Sequence, residues 1–219
     1  MSHDLTPGGQ GASTVLLMLP GAGMRGADYR ANGFIAAAHE RGFIADVALT
    51  DIPAENYLAA DFPQQAAAIW ASIEHYQTIW LLGISLGAYA ALRLMQSYPG
   101  RISGAALLAP FLAPRGVVAG VRRMGGLDQW SPGSLACHAA DEALFGWLKE
   151  NFARSAPPVD IYLGWGEQDR YAEAAKLLAA RLKPERIFHR QGDHDWPTWK
   201  LLWQDMLAAM PINAAAPID

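Results

Sequence analysis

One short stretch of the sequence strongly constrains how this chain can fold. Thr78–Ile84 reads TIWLLGI, and the Ala-rich segment Leu86–Tyr98 follows it almost immediately. A nearly continuous apolar run of this length is typical of a β-strand buried on both faces. The segment after it is predicted to be a helix that stops at Pro99-Gly100. Strands of this kind occur in parallel sheets that helices cover on both sides, so the sequence predicts an α/β architecture.

The remaining chain repeats this alternation of apolar strands and helices. Further strands are predicted at Ser13–Leu19, Phe43–Leu49, Ile102–Ala109, Val159–Trp165 and Arg186–Arg190. Further helices are predicted at Ala27–Arg41, Pro63–Tyr76, Ala139–Phe152, Tyr171–Leu182 and Pro197–Met210. We therefore expect about six mainly parallel strands with helices on both faces. Residues that follow the carboxyl ends of such strands lie at the ligand-binding edge of the sheet.

The domain boundaries follow from length and local composition. A chain of 219 residues is consistent with a single domain, which we assign to residues 13–219. Residues 1–12 are polar and Gly-rich and are predicted to be a flexible N-terminus. Residues 111–158 are too long for an ordinary connection between a strand and a helix. They are interpreted as a lid-like insertion over one edge of the sheet.

The composition excludes several classes of protein. Although 52% of the residues are hydrophobic, no apolar run reaches the roughly 18–20 residues of a transmembrane helix. The first residues do not resemble a signal peptide, so a soluble, cytoplasmic protein is predicted. A net charge of −4 gives no reason to expect nucleic-acid binding. The single cysteine, Cys137, excludes an intrachain disulfide. No Cys/His cluster has metal-ligand spacing, and we expect neither a metal nor a cofactor.

A G-x-S-x-G motif, Gly83-Ile84-Ser85-Leu86-Gly87, joins the apolar strand to the helix after it. In a nucleophile elbow the serine occupies a sharp turn with strained backbone angles. Its flanking glycines let the strand and the helix approach each other. The N-terminus of the helix would direct backbone N–H groups toward a developing oxyanion. Ser85 is therefore predicted to be a nucleophile, and the alternative is a Gly-rich turn with an incidental serine.

A nucleophilic serine needs a histidine base. Of the six histidines, His194 follows the last predicted strand and so lies at the same edge of the sheet as Ser85. His138, in the insertion, is a weaker alternative. The other four lie in the N-terminal segment, on helices that precede strands, or within the last strand. Cys137 is not expected to be a nucleophile, because adjacent residues do not normally present both side chains to one reacting atom.

The base in turn needs an acid that orients it. Asp169 follows the strand Val159–Trp165 at the same edge and is the predicted acid. Glu167, two residues earlier, is its main competitor. Asp193 and Asp195 flank the histidine, and we expect them to cap or shape the start of the next helix instead.

The order Ser85, Asp169, His194 resembles that of the α/β-hydrolase superfamily, whose triads follow the same order. The resemblance extends over residues 13–210 and implies the α/β-hydrolase fold. The late segment GDHDWPTW is also similar to the end of esterase-D-like and S-formylglutathione-hydrolase-like enzymes. Three tryptophans in and after this segment are interpreted as core packing rather than as a ligand cage: Trp196, Trp199 and Trp203.

The resemblance also implies an oxyanion hole made of two backbone N–H groups. One donor is expected at Leu86, the residue after the nucleophile. The other is expected in the turn after the first strand, where this chain reads Leu-Pro-Gly-Ala-Gly-Met. Ala22 is the predicted donor and Gly23 is the alternative. Many relatives carry His-Gly in this turn, whereas this chain has Pro-Gly.

These features predict a serine hydrolase that cleaves a small-molecule acyl ester or thioester through an acyl-serine intermediate. Acyl transfer, peptide hydrolysis, perhydrolysis and lyase chemistry on the same triad remain alternatives, as does a non-catalytic binding protein of the same fold. A homodimer is also compatible with the sequence. Substrate contacts are predicted for Met24, Trp130 and Trp147. Selectivity is expected to reside in the insertion, whose apolar side chains, Phe111 among them, are consistent with an apolar acyl pocket. Three arginines of the insertion could meet an acidic headgroup or a phosphorylated carrier, or form a solvated basic patch: Arg115, Arg122 and Arg123.

Overall fold

Seven strands form one sheet in the part of the chain that the computed structural model describes, residues 4–6, 13–59, 62–152 and 159–211. In chain order they are β1 Asp4–Thr6, β2 Thr14–Leu19, β3 Asp46–Leu49, β4 Thr78–Ile84, β5 Gly104–Leu108, β6 Asp160–Gly166 and β7 Ile187–Arg190. Their order across the sheet is β1-β3-β2-β4-β5-β6-β7, and every neighbouring pair except β1 with β3 is parallel. The predicted, mainly parallel sheet is confirmed.

Strand β1 corrects the prediction for the N-terminus. Residues 4–6 were expected to be flexible, but they pair antiparallel with β3, with Asp4 opposite Leu49 and Thr6 opposite Val47. Without β1, the outer side of β3 would present unpaired backbone groups at the edge of the sheet, and a short added strand satisfies them. The rest of the predicted flexible segment lies outside the described residues.

The helices of the described ranges are α1 Gly26–Ala31, α2 Phe34–Glu40, α3 Phe62–Ile73, α4 Leu86–Ser97, α5 Arg115–Arg123, α6 Ala139–Asn151, α7 Ala172–Ala179 and α8 Trp196–Ala209. The single helix predicted over Ala27–Arg41 is wrong, because the chain breaks between α1 and α2. Gly33 has a φ of 78° there, a left-handed conformation that glycine adopts without steric cost. In none of these helices is there a stretch long and apolar enough to cross a membrane.

The helices cover both faces of the sheet, as the sequence predicted. Alternate side chains of β2 point to opposite faces, so that Val15 and Leu17 join one buried cluster while Leu16 and Met18 join the other. The first cluster includes side chains of α3, α4, α6 and α7, and the second includes side chains of α1, α2 and α8. Burial on both sides accounts for the high apolar content of the chain.

The segment predicted to be an insertion, residues 111–158, contributes to the core on the α4 side of the sheet. It contains α6, which was predicted, and α5, which was not. Val118, Val121, Leu144 and Phe145 are buried in the same cluster as α4. The side-chain amide of Gln96 also donates a hydrogen bond of 3.3 Å to a backbone carbonyl of α6. Residues 153–158 lie outside the described part of the chain.

Candidate active site

Ser85 lies at the sharp turn between β4 and α4 and has the strained backbone that the motif predicted. Its φ and ψ are 56° and −116°, a region that residues with a side chain rarely occupy. Its N–H donates to the carbonyl of Leu108 at 2.9 Å, and its own carbonyl accepts from the N–H of Phe111 at 3.1 Å. Hydrogen bonds to the end of the neighbouring strand therefore hold the turn on both sides. The serine is largely buried, with 7% of its surface exposed.

The two outer glycines of the motif are required by close approach of the backbone. A Cβ atom on Gly83 would lie 2.4 Å from the carbonyl oxygen of Gly87. A Cβ atom on Gly87 would lie 1.8 Å from the carbonyl oxygen of Leu19, at the end of β2. Real Cβ contacts are essentially never shorter than 3.0 Å. The start of α4 is therefore packed directly against β4 and against the turn that follows β2.

Asp169 and His194 meet at the same edge of the sheet. Oδ2 of Asp169 lies 2.8 Å from Nδ1 of His194, and the other carboxylate oxygen accepts from the N–H of Tyr171 at 2.7 Å. The aspartate side chain has no exposed surface and that of the histidine has 9%. A carboxylate accepts only, so a neutral imidazole in this position carries its proton on Nδ1 and leaves Nε2 as an acceptor. This is the tautomer that a general base needs.

Backbone hydrogen bonds join the loop of the acid to the loop of the histidine. The N–H of Glu167 donates to the carbonyl of Arg190 at 2.8 Å, and the N–H of Gln168 donates to the carbonyl of Gly192 at 3.0 Å. The side-chain oxygen of Gln168 also accepts from the N–H of Gly192 at 2.7 Å. The acid and the histidine are thereby carried on two cross-linked loops.

Two aromatic rings confine the imidazole of His194. The ring centroid of Trp199 lies 4.9 Å away at an interplanar angle of 89°, and that of Tyr171 lies 5.1 Å away at 65°. Both are edge-to-face arrangements, which aromatic groups favour. The ring is held in place by the Asp169 hydrogen bond together with these two contacts.

The alternative acids have other partners. Glu167 is exposed and lies 3.0 Å from Nδ1 of His189 rather than near His194. Asp195 caps α8, where its carboxylate accepts from the N–H of Thr198 at 3.0 Å, and this predicted cap is confirmed. His138 is the exposed N-cap residue of α6. Within the described ranges, no group of three or more His, Cys, Asp or Glu residues is arranged to hold a metal ion.

A cavity of about 510 Å³ opens at this edge of the sheet, and Ser85, Leu86 and His194 line it. Ala22 and Met24, from the turn after β2, line it as well, whereas Gly23 does not. The predicted nucleophile, base, oxyanion donor and one predicted substrate contact are thus brought to a single surface.

The two expected oxyanion donors have no hydrogen-bond partner within the described part of the chain. Neither the N–H of Leu86 nor that of Ala22 makes a hydrogen bond with any described residue. The Tyr29 hydroxyl donates to the carbonyl of Leu19 at 2.7 Å and so holds the start of the turn that follows β2. Burial raises the pKa of Tyr29 well above its usual value, so this hydroxyl remains a donor at any ordinary pH. The geometry leaves both N–H groups available to a ligand.

The other two predicted substrate contacts lie elsewhere. Trp130 is 1% exposed and packs edge-to-face on Phe145 in the core. Trp147 packs on Phe152 and lines a separate small cavity of about 50 Å³. The cavity at Ser85 is not lined by either of them.

Four aromatic residues line the cavity, and none of them is among the three predicted substrate contacts. They are Phe111, Tyr171, Trp196 and Trp199. Phe111 was expected only as one of the apolar residues of the insertion. Trp199 is also buried in the core, and Trp203 is buried there without lining the cavity. The core interpretation of the C-terminal tryptophans is therefore right for Trp203 and incomplete for Trp199 and Trp196, because Trp196 packs against the same core cluster and also lines the cavity. A signal was present, since Tyr171 and Trp196 each follow a predicted strand by a few residues.

The comparisons with known proteins agree with this architecture. Residues 55–210 match the model of a family described as "Putative esterase". No curated protein sequence matches the chain. A substrate-bound structure of the fluorophosphonate-binding serine hydrolase F of Staphylococcus aureus is similar, with a TM-score of 0.61 at 14% identity over 90% of this chain and 82% of that one.

Two further solved structures have a similar fold. An S-formylglutathione hydrolase of Staphylococcus aureus has a TM-score of 0.58 at 13% identity, covering 94% of this chain and 82% of that one. A monoacylglycerol lipase of Paleococcus ferrophilus has a TM-score of 0.55 at 15% identity, covering 96% of this chain and all of the other. These likenesses show the α/β-hydrolase fold. Because the family model covers well over half of the sequence, the chain belongs to this esterase family and is an ester-cleaving serine hydrolase, as the sequence predicted.

Proposed function

We propose that the chain hydrolyses a carboxylic ester or thioester through an acyl intermediate on Ser85, with His194 as general base and Asp169 as the acid that orients it. The observation that carries this proposal is the convergence of a hydrogen-bonded Asp169–His194 pair and an elbow serine at one cavity. The hydrogen bond from the serine hydroxyl to Nε2 of the imidazole is the contact that the proposal adds.

The reaction follows from the positions of these groups. His194 removes the proton of Ser85 as its oxygen attacks the carbonyl carbon, and the N–H groups of Leu86 and Ala22 stabilise the resulting oxyanion. The protonated imidazole then gives its proton to the leaving alcohol or thiol. Water attacks the acyl-serine in the second half, again with His194 as base. Asp169 keeps the imidazole in the required tautomer and stabilises its positive charge.

The lining of the cavity supports an apolar acyl group next to the scissile bond. Phe111, Trp196 and Met24 contribute aromatic and thioether surface to the cavity that holds the nucleophile. Apolar lining with a few placed polar groups is typical of small-molecule sites. Met24 is therefore kept as a proposed substrate contact, and Phe111 and Trp196 are added to it. Homodimer formation and a cytoplasmic location remain predictions from the sequence.

Labelling with a fluorophosphonate tests the nucleophile directly. We expect covalent labelling of Ser85, located by mass spectrometry of the digested protein, and hydrolysis of 4-nitrophenyl butyrate. The variant Ser85→Ala should lose both. The matched control is Ser103→Ala, because Ser103 is exposed at the opposite end of β5 from the site. Absence of labelling in the folded protein would favour a binding protein, and full turnover by Ser85→Ala would reject the serine.

A further inference from the structure

A second cavity of about 500 Å³ adjoins the one that holds Ser85. Arg170 and Tyr171 line both cavities, so the two share a wall. The second cavity lies between α5 and the start of α7, and Arg115, Arg122 and Arg123 also line it. Four arginines therefore surround one cavity beside the proposed catalytic residues.

The arginines of α5 lie on the side of the helix that lines the cavity. Arg115, Val118, Ala119 and Arg122 follow the spacing i, i+3, i+4, i+7 and all line the cavity. At a rise of 1.5 Å per residue, the first and last of these are about 10 Å apart along the helix. The small apolar side chains of Val118 and Ala119 thus lie between the arginines at the two ends of this helix face. The arrangement suits a ligand that carries an anionic group on a short apolar chain.

The positive charge in this cavity is only partly neutralised. Glu173 is the acidic residue of the lining, and it pairs with Arg122 and with Lys176. Arg115, Arg123 and Arg170 have no carboxylate partner among the described residues. Like charges collected in one concave surface repel one another, and an anionic ligand relieves that repulsion.

The position of Arg115 adds a second argument. It is the first residue of α5, where the positive end of the helix dipole disfavours a cation. Arg122 and Arg123, in the last turn, are favourable for the helix by the same rule. Helix stability can therefore account for the two C-terminal arginines but not for Arg115, and binding of an anion accounts for all three.

From these observations we infer that the enzyme acts on esters that carry a carboxylate or phosphate group, which the arginine cavity binds while the ester carbonyl lies at Ser85. This inference rests on the proposed function and names its substrate class. Arg170, at the shared wall, lies where the anionic part of the substrate meets the reacting part. Guanidinium groups suit both anions, because they present paired N–H donors to two oxygens.

Matched ester pairs test the inference. One arm compares 4-nitrophenyl monoesters of adipic, pimelic and suberic acids with neutral 4-nitrophenyl esters of equal acyl length. The other arm compares the butyryl ester of 2-hydroxyethyl phosphate with ethyl butyrate, and hydrolysis is measured as the butyric acid that is released. We expect kcat/KM to be at least about tenfold higher for the anionic member in one arm, which identifies the anion. The preference should shrink as salt is raised, because salt screens exposed charges.

Variants identify the arginines. In the double variant Arg115→Gln/Arg123→Gln, and separately in Arg170→Gln, the ratio of kcat/KM for anionic over neutral ester should fall about tenfold, mainly through KM. Arg41→Gln is the matched control, because Arg41 is an exposed arginine that lines neither cavity, and its ratio should stay at the wild-type value. An equal rate for both members of every pair, or an unchanged ratio in the double variant, overturns the inference.

Binding to a non-reacting variant separates this inference from the proposed function. Titration calorimetry with Ser85→Ala measures, without turnover, the affinity for the anionic and the neutral member of a pair from each arm. Tighter binding of the anionic ester that is lost on adding Arg115→Gln/Arg123→Gln supports the arginine cavity, even if no ester is hydrolysed by the wild-type protein. Equal affinity for the anionic and the neutral member in both arms contradicts it, even if neutral esters are hydrolysed rapidly.

Discussion

Replacing Gly87 by alanine tests whether the elbow and the oxyanion turn are held by close backbone contact. The added Cβ atom would lie 1.8 Å from the carbonyl oxygen of Leu19 and 2.9 Å from that of Pro20. To reach even 3.0 Å from the first oxygen, the helix start and the end of β2 must separate by about 1.2 Å. Both sides of this contact are backbone, so no side-chain rotation can relieve it.

The expected losses of kcat and stability follow from the residues that this movement displaces. Ala22 lies three residues after Leu19, and Ser85 lies two residues before Gly87, so their separation changes with the same displacement. A misplacement of about 1 Å costs roughly 100-fold in rate, and loss of one oxyanion donor costs about 100- to 1000-fold in kcat. Overpacking costs about 1–3 kcal/mol of unfolding free energy. We expect kcat for 4-nitrophenyl butyrate to fall at least about 100-fold and stability to fall by at least this amount.

The assay pairs steady-state hydrolysis with urea unfolding followed by tryptophan fluorescence. Gly146→Ala is the control, because the same atom added in the middle of α6 has no other atom within 4 Å. That variant should keep wild-type kcat and gain about 0.8–1 kcal/mol, since alanine is the better helix former. If Gly87→Ala retains more than about a third of the wild-type kcat with unchanged stability, the packing argument for the elbow is wrong.

Three further predictions concern side chains around the site. Asp169→Asn should lower kcat by about four orders of magnitude, because an amide allows the wrong imidazole tautomer, whereas Glu167→Gln should leave it unchanged; equal losses in the two would reject the assignment of the acid. Tyr29→Phe removes the donor to Leu19 and should cost about 1–3 kcal/mol in urea unfolding together with part of kcat; a variant as stable and as active as wild type would show that the hydroxyl does not hold the turn. Burial raises the pKa of Asp141, so its carboxyl group keeps a proton in the folded state at pH values where the unfolded state has lost it, above about pH 4. The free energy of unfolding should therefore fall as the pH rises from about 4 through the raised pKa. Asp141→Asn should remove that decline, and parallel pH profiles for the variant and the wild type would contradict it.

The sequence was informative where one local pattern decides the structure. Apolar runs located six strands to within about three residues at each end, and the order of strands put Ser85, Asp169 and His194 at one edge. It was less informative at Gly33. An isolated glycine in a helical pattern is tolerated at a cost of about 1 kcal/mol, so the sequence alone does not show whether the helix continues through it.

The lining of the cavity depended on tertiary contacts that residue type does not reveal. Trp130 and Trp147 are aromatic, as the side chains that line substrate pockets often are. The structure nevertheless places Trp130 in the core and Trp147 beside a different cavity. Tyr171 and Trp196 line the cavity because each is a few residues past the end of a strand. Position relative to the carboxyl edge of the sheet was therefore a better guide to the lining than aromatic character.

The cross-linked loops of the acid and the histidine form one wall of the cavity. A Cβ atom on Gly166 would lie 2.4 Å from the carbonyl oxygen of Gly192, so neither loop has room to change its course without displacing the other. The wall they form is closed to insertions and deletions. The cavity lining also includes Phe111 and Leu58, which is 47% exposed at the end of the short 3₁₀ helix Ala54–Leu58. New substrate ranges can arise there, by natural drift or in the laboratory, while Asp169 and His194 stay in place.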